Sequence, residues 1–196
     1  MMTFRQKILR WAYPLFTSVK RWSGGGRHLH APAGRVPVVP FHTLRVDLQD
    51  GRALSFESLK GKKVLLVNTA SDCGFTAQYA ELQKLHAHSR DELEIIAFPA
   101  NDFQQQEKGS DEEVGQFCRV NFGIRFPLAR KSSVVKGGEQ HPVFRWLSSQ
   151  AQNGWNDQAP EWNFSKYLVN EEGLLTDYFA PAISPLSREL MDAVNH

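Results

Sequence analysis

Cysteine is scarce in this chain: Cys73 and Cys118 are the only two in 196 residues. Two are too few for the several bridges that staple a small secreted domain. Redox or nucleophilic use is the sharper reading for Cys73, among Ser, Asp and Gly, while Cys118, beside Phe117, reads first as a small buried hydrophobe. Long apolar runs are also missing, since nothing approaches the ~20 residues that span a bilayer. Acidic residues are absent before Asp47, where eight Lys and Arg stand alone. From Asp47 onward fifteen basic residues face twenty-one acidic ones, so the overall +2 hides a basic arm on a domain of net −6. Such a domain offers no general basic surface for nucleic acid. There is no internal repeat and no phosphate-cradling glycine loop, and Gly24-Gly25-Gly26 has linker composition. Position 76, three after Cys73, is Thr, which removes the Cys-x-x-Cys pattern of simple dithiol exchange.

What is present divides the chain into an arm, residues 1–40, and one domain, residues 41–196. Phe4, Ile8, Trp11, Leu15, Val19 and Trp22 recur every three or four positions, the seam of an amphipathic helix, with Pro14 as a kink. Arg5, Lys7, Arg10, Lys20 and Arg21 fall mostly off that seam. Three readings stay open: an organelle transit peptide, a helix lying on a membrane surface, or a tail without a task. The expected location is cytoplasmic, or an organelle matrix under the first reading. Ser23 to Pro40 reads as a flexible linker, and His28 and His30 within it as solvated side chains; no metal or cofactor is implied.

From Phe41 the pattern becomes globular. Thr43–Val46 and Ala53–Phe56 flank Asp50-Gly51, a hairpin signal. Val64-Leu65-Leu66-Val67 and Glu94–Phe98 read as buried central strands. Phe75, Tyr79, Leu82 and Leu85 predict a helix beginning at Cys73, and Ser110-Asp111-Glu112-Glu113 is a capping box for a second helix carrying Val114, Phe117 and Cys118. Pro142 opens a shorter helix, Tyr167–Val169 and Leu174–Phe179 form a second hairpin, and Ser184-Pro185 caps the last helix. The order predicts an α/β fold, a mixed sheet covered by helices with an N-terminal β-hairpin. Ligands in such sheets sit at the C-terminal ends of central strands, where Cys73 and the loop Asn101–Gly109 converge.

A thiol placed at a helix N-terminus favours its thiolate. Donors that steady a thiolate without consuming it are indole and amide N–H groups. Trp162-Asn163 and Gln104-Gln105-Gln106 supply both kinds near the same strand edge. A cysteine hydrolase would need a histidine base, and His86, His88 and His141 have no motif tying them to Cys73.

Three blocks now carry a resemblance. Asn68-Thr69-Ala70-Ser71-x-Cys73-Gly74-x-Thr76 followed by Tyr79 and Leu82, then Phe98-Pro99-Ala100-Asn101-x-Phe103-x-x-Gln106-Glu107-x-Gly109, then Trp162-Asn163-Phe164-x-Lys166-Tyr167-Leu168-Val169, are similar to the signature blocks of the glutathione peroxidase family. The similarity runs from Phe41 to the C-terminus. It implies a thioredoxin-like fold, and a thiol peroxidase that reduces hydrogen peroxide and organic or lipid hydroperoxides. It implies Cys73 as the peroxidatic residue, Gln106, Trp162 and Asn163 as its hydrogen-bonding partners, and Cys118 as the resolving cysteine of the thioredoxin-dependent branch. Thioredoxin or glutathione is the implied reductant. Ala100, Asp102 and Lys108 depart from the family pattern, and Asp102 is expected to oppose the thiolate. The short segment between Leu147 and Trp162 implies a monomer. A peroxide sensor that relays oxidation to a partner protein uses the same first step and is the alternative.

Overall fold

The computed structural model of the chain describes residues 2, 3, 6–8, 11 and 27–196. Short strand β1 (His28–His30) and the hairpin of β2 (Arg45–Asp47) and β3 (Ala53–Ser55) precede β4 (Lys63–Thr69), helix α1 (Gln78–Ser89), β5 (Leu93–Pro99) and α2 (Asp111–Phe122). Then come α3 (Pro142–Leu147), α4 (Gln150–Asn153), the hairpin of β6 (Lys166–Val169) and β7 (Leu175–Phe179), and α5 (Arg188–Asn195). Asp50-Gly51 makes the first hairpin turn as expected, with Gly51 at a φ of 85°, where an L side chain is disfavoured.

Five strands form one mixed sheet in the order β1-β7-β6-β4-β5. β4 and β5 run parallel through the α1 crossover, and β6 joins the other side of β4 antiparallel. β4 is buried along its whole length, as its unbroken apolar run predicts. Side chains alternate between the two faces. Leu65, Val67, Ile95 and Ala97 pack with Tyr79, Leu82, Cys118 and Leu190 on one side, while Val64, Leu66, Ile96 and Phe98 pack with Phe56, Phe144 and Trp146 on the other. Both cysteines therefore sit over the same sheet face.

Four expectations change. The segment read as linker contributes strand β1, which pairs with β7. His28 and His30 are on the same face of that strand, and both bond the buried Asp177 carboxylate, at 2.7 and 2.8 Å. Helix α1 starts at Gln78 rather than Cys73, because the Thr76 hydroxyl takes the Cys73 N–H at 3.0 Å and holds the intervening residues in turns. The last helix is capped by Ser187, not Ser184, whose hydroxyl instead donates to Glu81 at 2.7 Å. The capping box at Ser110 and Glu113 and the Pro142 helix start are as predicted. Of the amphipathic helix expected over 4–22, residues 6–8 and 11 are helical and the remainder lies outside the described residues. Gln6 donates to the Ser71 carbonyl at 3.1 Å, so the arm touches the turn before Cys73.

Candidate active site

Cys73 lies in the turn after β4, with its residue almost wholly buried. Its Sγ accepts the Phe75 N–H at 3.4 Å, and the Trp162 and Asn163 side chains lie beside it and favour its charged form. Asn163 Nδ2 in turn donates to Gln106 Oε1 at 2.9 Å. The structure thus brings Cys73, Gln106, Trp162 and Asn163 together from three separate segments. Gln104 and Gln105 stay exposed and take left-handed conformations, φ 52° and 53°, a backbone shape that costs ~1 kcal/mol or more per residue. This bend immediately precedes Gln106 in the chain.

The third segment is fixed by two buried polar residues. Asn68 in β4 donates to the Trp162 carbonyl at 3.0 Å and accepts the Ser165 N–H at 3.0 Å. Lys166 Nζ, fully buried, donates to the carbonyls of Phe164 at 2.8 Å and Ile183 at 2.6 Å, with Pro181 and Ala180 slightly farther. Burial pulls the Lys166 ammonium down to about 7, and Glu81 opposes that shift. Lys166→Met is expected to lower stability by about 3 kcal/mol, because it strands buried carbonyls that now accept from one amine. Urea denaturation measures this.

The resting thiol does not have the lowered pKa expected of a helix start. Burial pushes Cys73 up, the Phe75 N–H and the Trp162 and Asn163 side chains pull it down, and the Asp72 charge pushes it up again. Burial wins while the site is closed. The donors are nonetheless already aimed at the sulfur, so they stabilise negative charge there without reorganisation when it forms. The acid that opposes the thiolate is Asp72, not Asp102. Asp102 is turned away, with its carboxylate accepting from Ser133 Oγ and Val134 N–H at 2.8 Å each.

Cys118 is fully buried in the last two turns of α2, and both cysteines are free thiols. Burial pushes its thiol up to about 12; the Tyr79 hydroxyl pulls it down and the Glu107 charge adds to the rise. A cavity of about 620 Å³ separates the two cysteine-bearing elements, bounded by Ser71 and Asp72 on one side and by Val114 and Phe117 of α2 on the other. Sequence reasoning missed Asp72, Thr76 and Glu107 as parts of this neighbourhood. All three stood inside the quoted blocks, but only their packing distinguishes them from loop residues.

Comparison with known proteins supplies the family. A family model described as glutathione peroxidase matches residues 41–148, more than half of the chain. The chain belongs to the glutathione peroxidase family. The glutathione peroxidase-like peroxiredoxin HYR1 of Saccharomyces cerevisiae is 43% identical over 148 residues, 75% of this chain and 90% of that protein. The glutathione peroxidase homolog BsaA of Staphylococcus aureus is 42% identical over 145 residues, covering 74% and 90%. The apo crystal structure of Trgpx superposes with a TM-score of 0.60 at 27% identity, covering 81% of this chain and 97% of its own. The fold is thioredoxin-like, and the chain is a peroxidase of this family.

Proposed function

We propose that the Cys73 thiolate attacks a hydroperoxide, releases water or an alcohol, and becomes a sulfenic acid that Cys118 resolves to a disulfide. Thioredoxin, or a similar dithiol protein, then reduces that disulfide by exchange. The observation that carries this reading is the convergence of the Phe75 N–H, Trp162 and Asn163 on one sulfur, with a second free thiol in the same core. The naming of HYR1 as a glutathione peroxidase-like peroxiredoxin supports a thiol-based peroxidase cycle.

Bridging needs the two Cα atoms within about 7 Å. Cys118 reaches Cys73 when the end of α2 opens, which exposes a thiol now held protonated by burial. That opening has to break a capped end, where Gly123, left-handed at a φ of 64°, donates to the Arg119 carbonyl and Ile124 to the Cys118 carbonyl. The short connection before Trp162 supports a monomer that takes bulky lipid hydroperoxides as well as hydrogen peroxide. The basic segment before β1 is proposed to serve membrane-surface contact or organelle targeting, with a cytoplasmic location otherwise. A reporter fused to residues 1–40 separates these: membrane or organelle signal supports a task, and a diffuse cytoplasmic signal removes it.

A coupled assay comparing thioredoxin with glutathione tests the cycle. Thioredoxin is expected to drive many turnovers per protein molecule, and oxidation that stops at one equivalent with either reductant contradicts an enzyme.

A further inference from the structure

Lys63, Glu107, Lys166 and Asp177 are the buried charged side chains among the described residues. Three are accounted for structurally: Lys63 pairs with Glu171, Lys166 is cradled by carbonyls, and Asp177 holds the β1 histidines. Glu107 has no such tie to a cation. Its Oε2 accepts from Ser71 Oγ at 3.1 Å, its own N–H goes to Asn101 Oδ1 at 3.0 Å, and the nearby Lys131 amine is turned to the Gly109 and Lys108 carbonyls.

Its place is what gives it a use. Glu107 lines the cavity between the Cys73 turn and α2, one residue from Gln106. Ser71, its hydrogen-bond partner, is two residues from Cys73, while the Glu107 charge bears on both the Cys118 thiol and the Tyr79 hydroxyl. A buried carboxyl thus sits between the turn that carries Cys73 and the helix that carries Cys118.

We propose that Glu107 carries the proton of the resolving step, taking it from Cys118 and delivering it to the oxygen that leaves Cys73. The Glu107 carboxylate removes the Cys118 thiol proton, and the Cys118 thiolate attacks the Cys73 sulfenic sulfur. The S–S bond forms as the S–O bond breaks, with Cys118 oxidised and Cys73 reduced. The departing hydroxide takes the proton back from Glu107 and leaves as water, which restores the carboxylate. Burial holds Glu107 up to about 7, so base and acid forms coexist near neutral pH, as a two-way carrier needs. Around it, Ser71 and the Lys131 charge pull it down, Asp72 pushes it up, and α1 and α2 present Tyr79 and Cys118.

This step rests on Cys118 as the resolving residue, and the test separates the two ideas. Glu107→Gln keeps the size and an acceptor for Ser71 but cannot take a proton. Rapid-quench alkylation after one equivalent of peroxide follows the loss of each thiol separately. In the wild type, Cys118 loss is expected to quicken with pH through an inflection near 7. In Glu107→Gln, Cys73 loss stays within about twofold while Cys118 loss slows by about 100-fold and loses the inflection; Glu107→Asp retains the inflection. The variant should fold, because an acid titrating near 7 in the fold and near 4.5 when unfolded costs stability as pH rises through that window. Its melting temperature at pH 8 is expected to be no lower than that of the wild type. Unchanged Cys118 loss with its inflection, or equal slowing of both thiols, overturns the proton-carrier role. A wild-type Cys118 that stays reduced overturns the resolving role and this step with it.

Discussion

Cys73→Ser is expected to lower peroxide consumption by about 10³-fold or more, equivalent to ~4 kcal/mol of barrier. The physical reason is the nucleophile. A thiol gives up its proton far more readily than a hydroxyl and its thiolate is intrinsically reactive, whereas a serine hydroxyl is a weak nucleophile unless a base touches it. The donors around the sulfur, Phe75 N–H, Trp162 and Asn163, steady charge but accept no proton. The loss is therefore chemical and not structural. The serine variant should keep its fold, since Cys73 N–H still has Thr76 Oγ1 and the turn is held by the Asp72 N–H to the Gln106 carbonyl at 3.0 Å. Initial rates of peroxide loss together with a melting curve check both halves of the expectation.

Cys118→Ser separates the two halves of the cycle. Oxidation of Cys73 should proceed at close to the wild-type rate, because Cys118 is not among its hydrogen-bond partners. Thioredoxin-driven turnover should fall by at least about 100-fold, since the intramolecular thiol and its effective concentration are gone. The Cys73 sulfenic acid then has only external thiols or further oxidation open to it. Stopped-flow oxidation followed by steady-state assay with thioredoxin distinguishes the steps. Restoration of turnover by glutathione in this variant would show the same Cys73 chemistry served by a different reductant.

Much of the fold was legible because the strong local signals agree with the tertiary ones. The apolar run of β4, the capping box before α2, the proline at the start of α3 and both hairpin turns each have one dominant physical cause and appear where expected. Strand β1 was not legible. Its three residues have no strand signal of their own and are held by pairing with β7 and by the histidine bonds to Asp177. The start of α1 was misplaced for a related reason, since apolar spacing continues back to Phe75 while the Thr76 hydroxyl keeps that stretch in turns.

The candidate site divides the same way. Residue types at Cys73, Trp162, Asn163 and the Gln104–Gln106 run suggested hydrogen bonding to a thiol, and the structure brings Trp162 and Asn163 to the sulfur while Gln106 bonds Asn163 instead. The direction of the Cys73 pKa was misjudged because helix-end electrostatics is visible in a sequence and desolvation is not. The same blindness hid Glu107, a glutamate in a polar loop by sequence and a buried carboxyl by structure. Asp102 and Asp72 exchanged roles because backbone direction, which no residue pattern records, turns one toward Ser133 and keeps the other beside the thiol.

Peptide mass spectrometry of the protein after one equivalent of hydrogen peroxide, alkylated and digested without reductant, bears most directly on the two-cysteine cycle. The expected result is one peptide pair joined through Cys73 and Cys118, lost on treatment with thioredoxin. Cys73 found as sulfinic acid with Cys118 alkylated as a free thiol would contradict it.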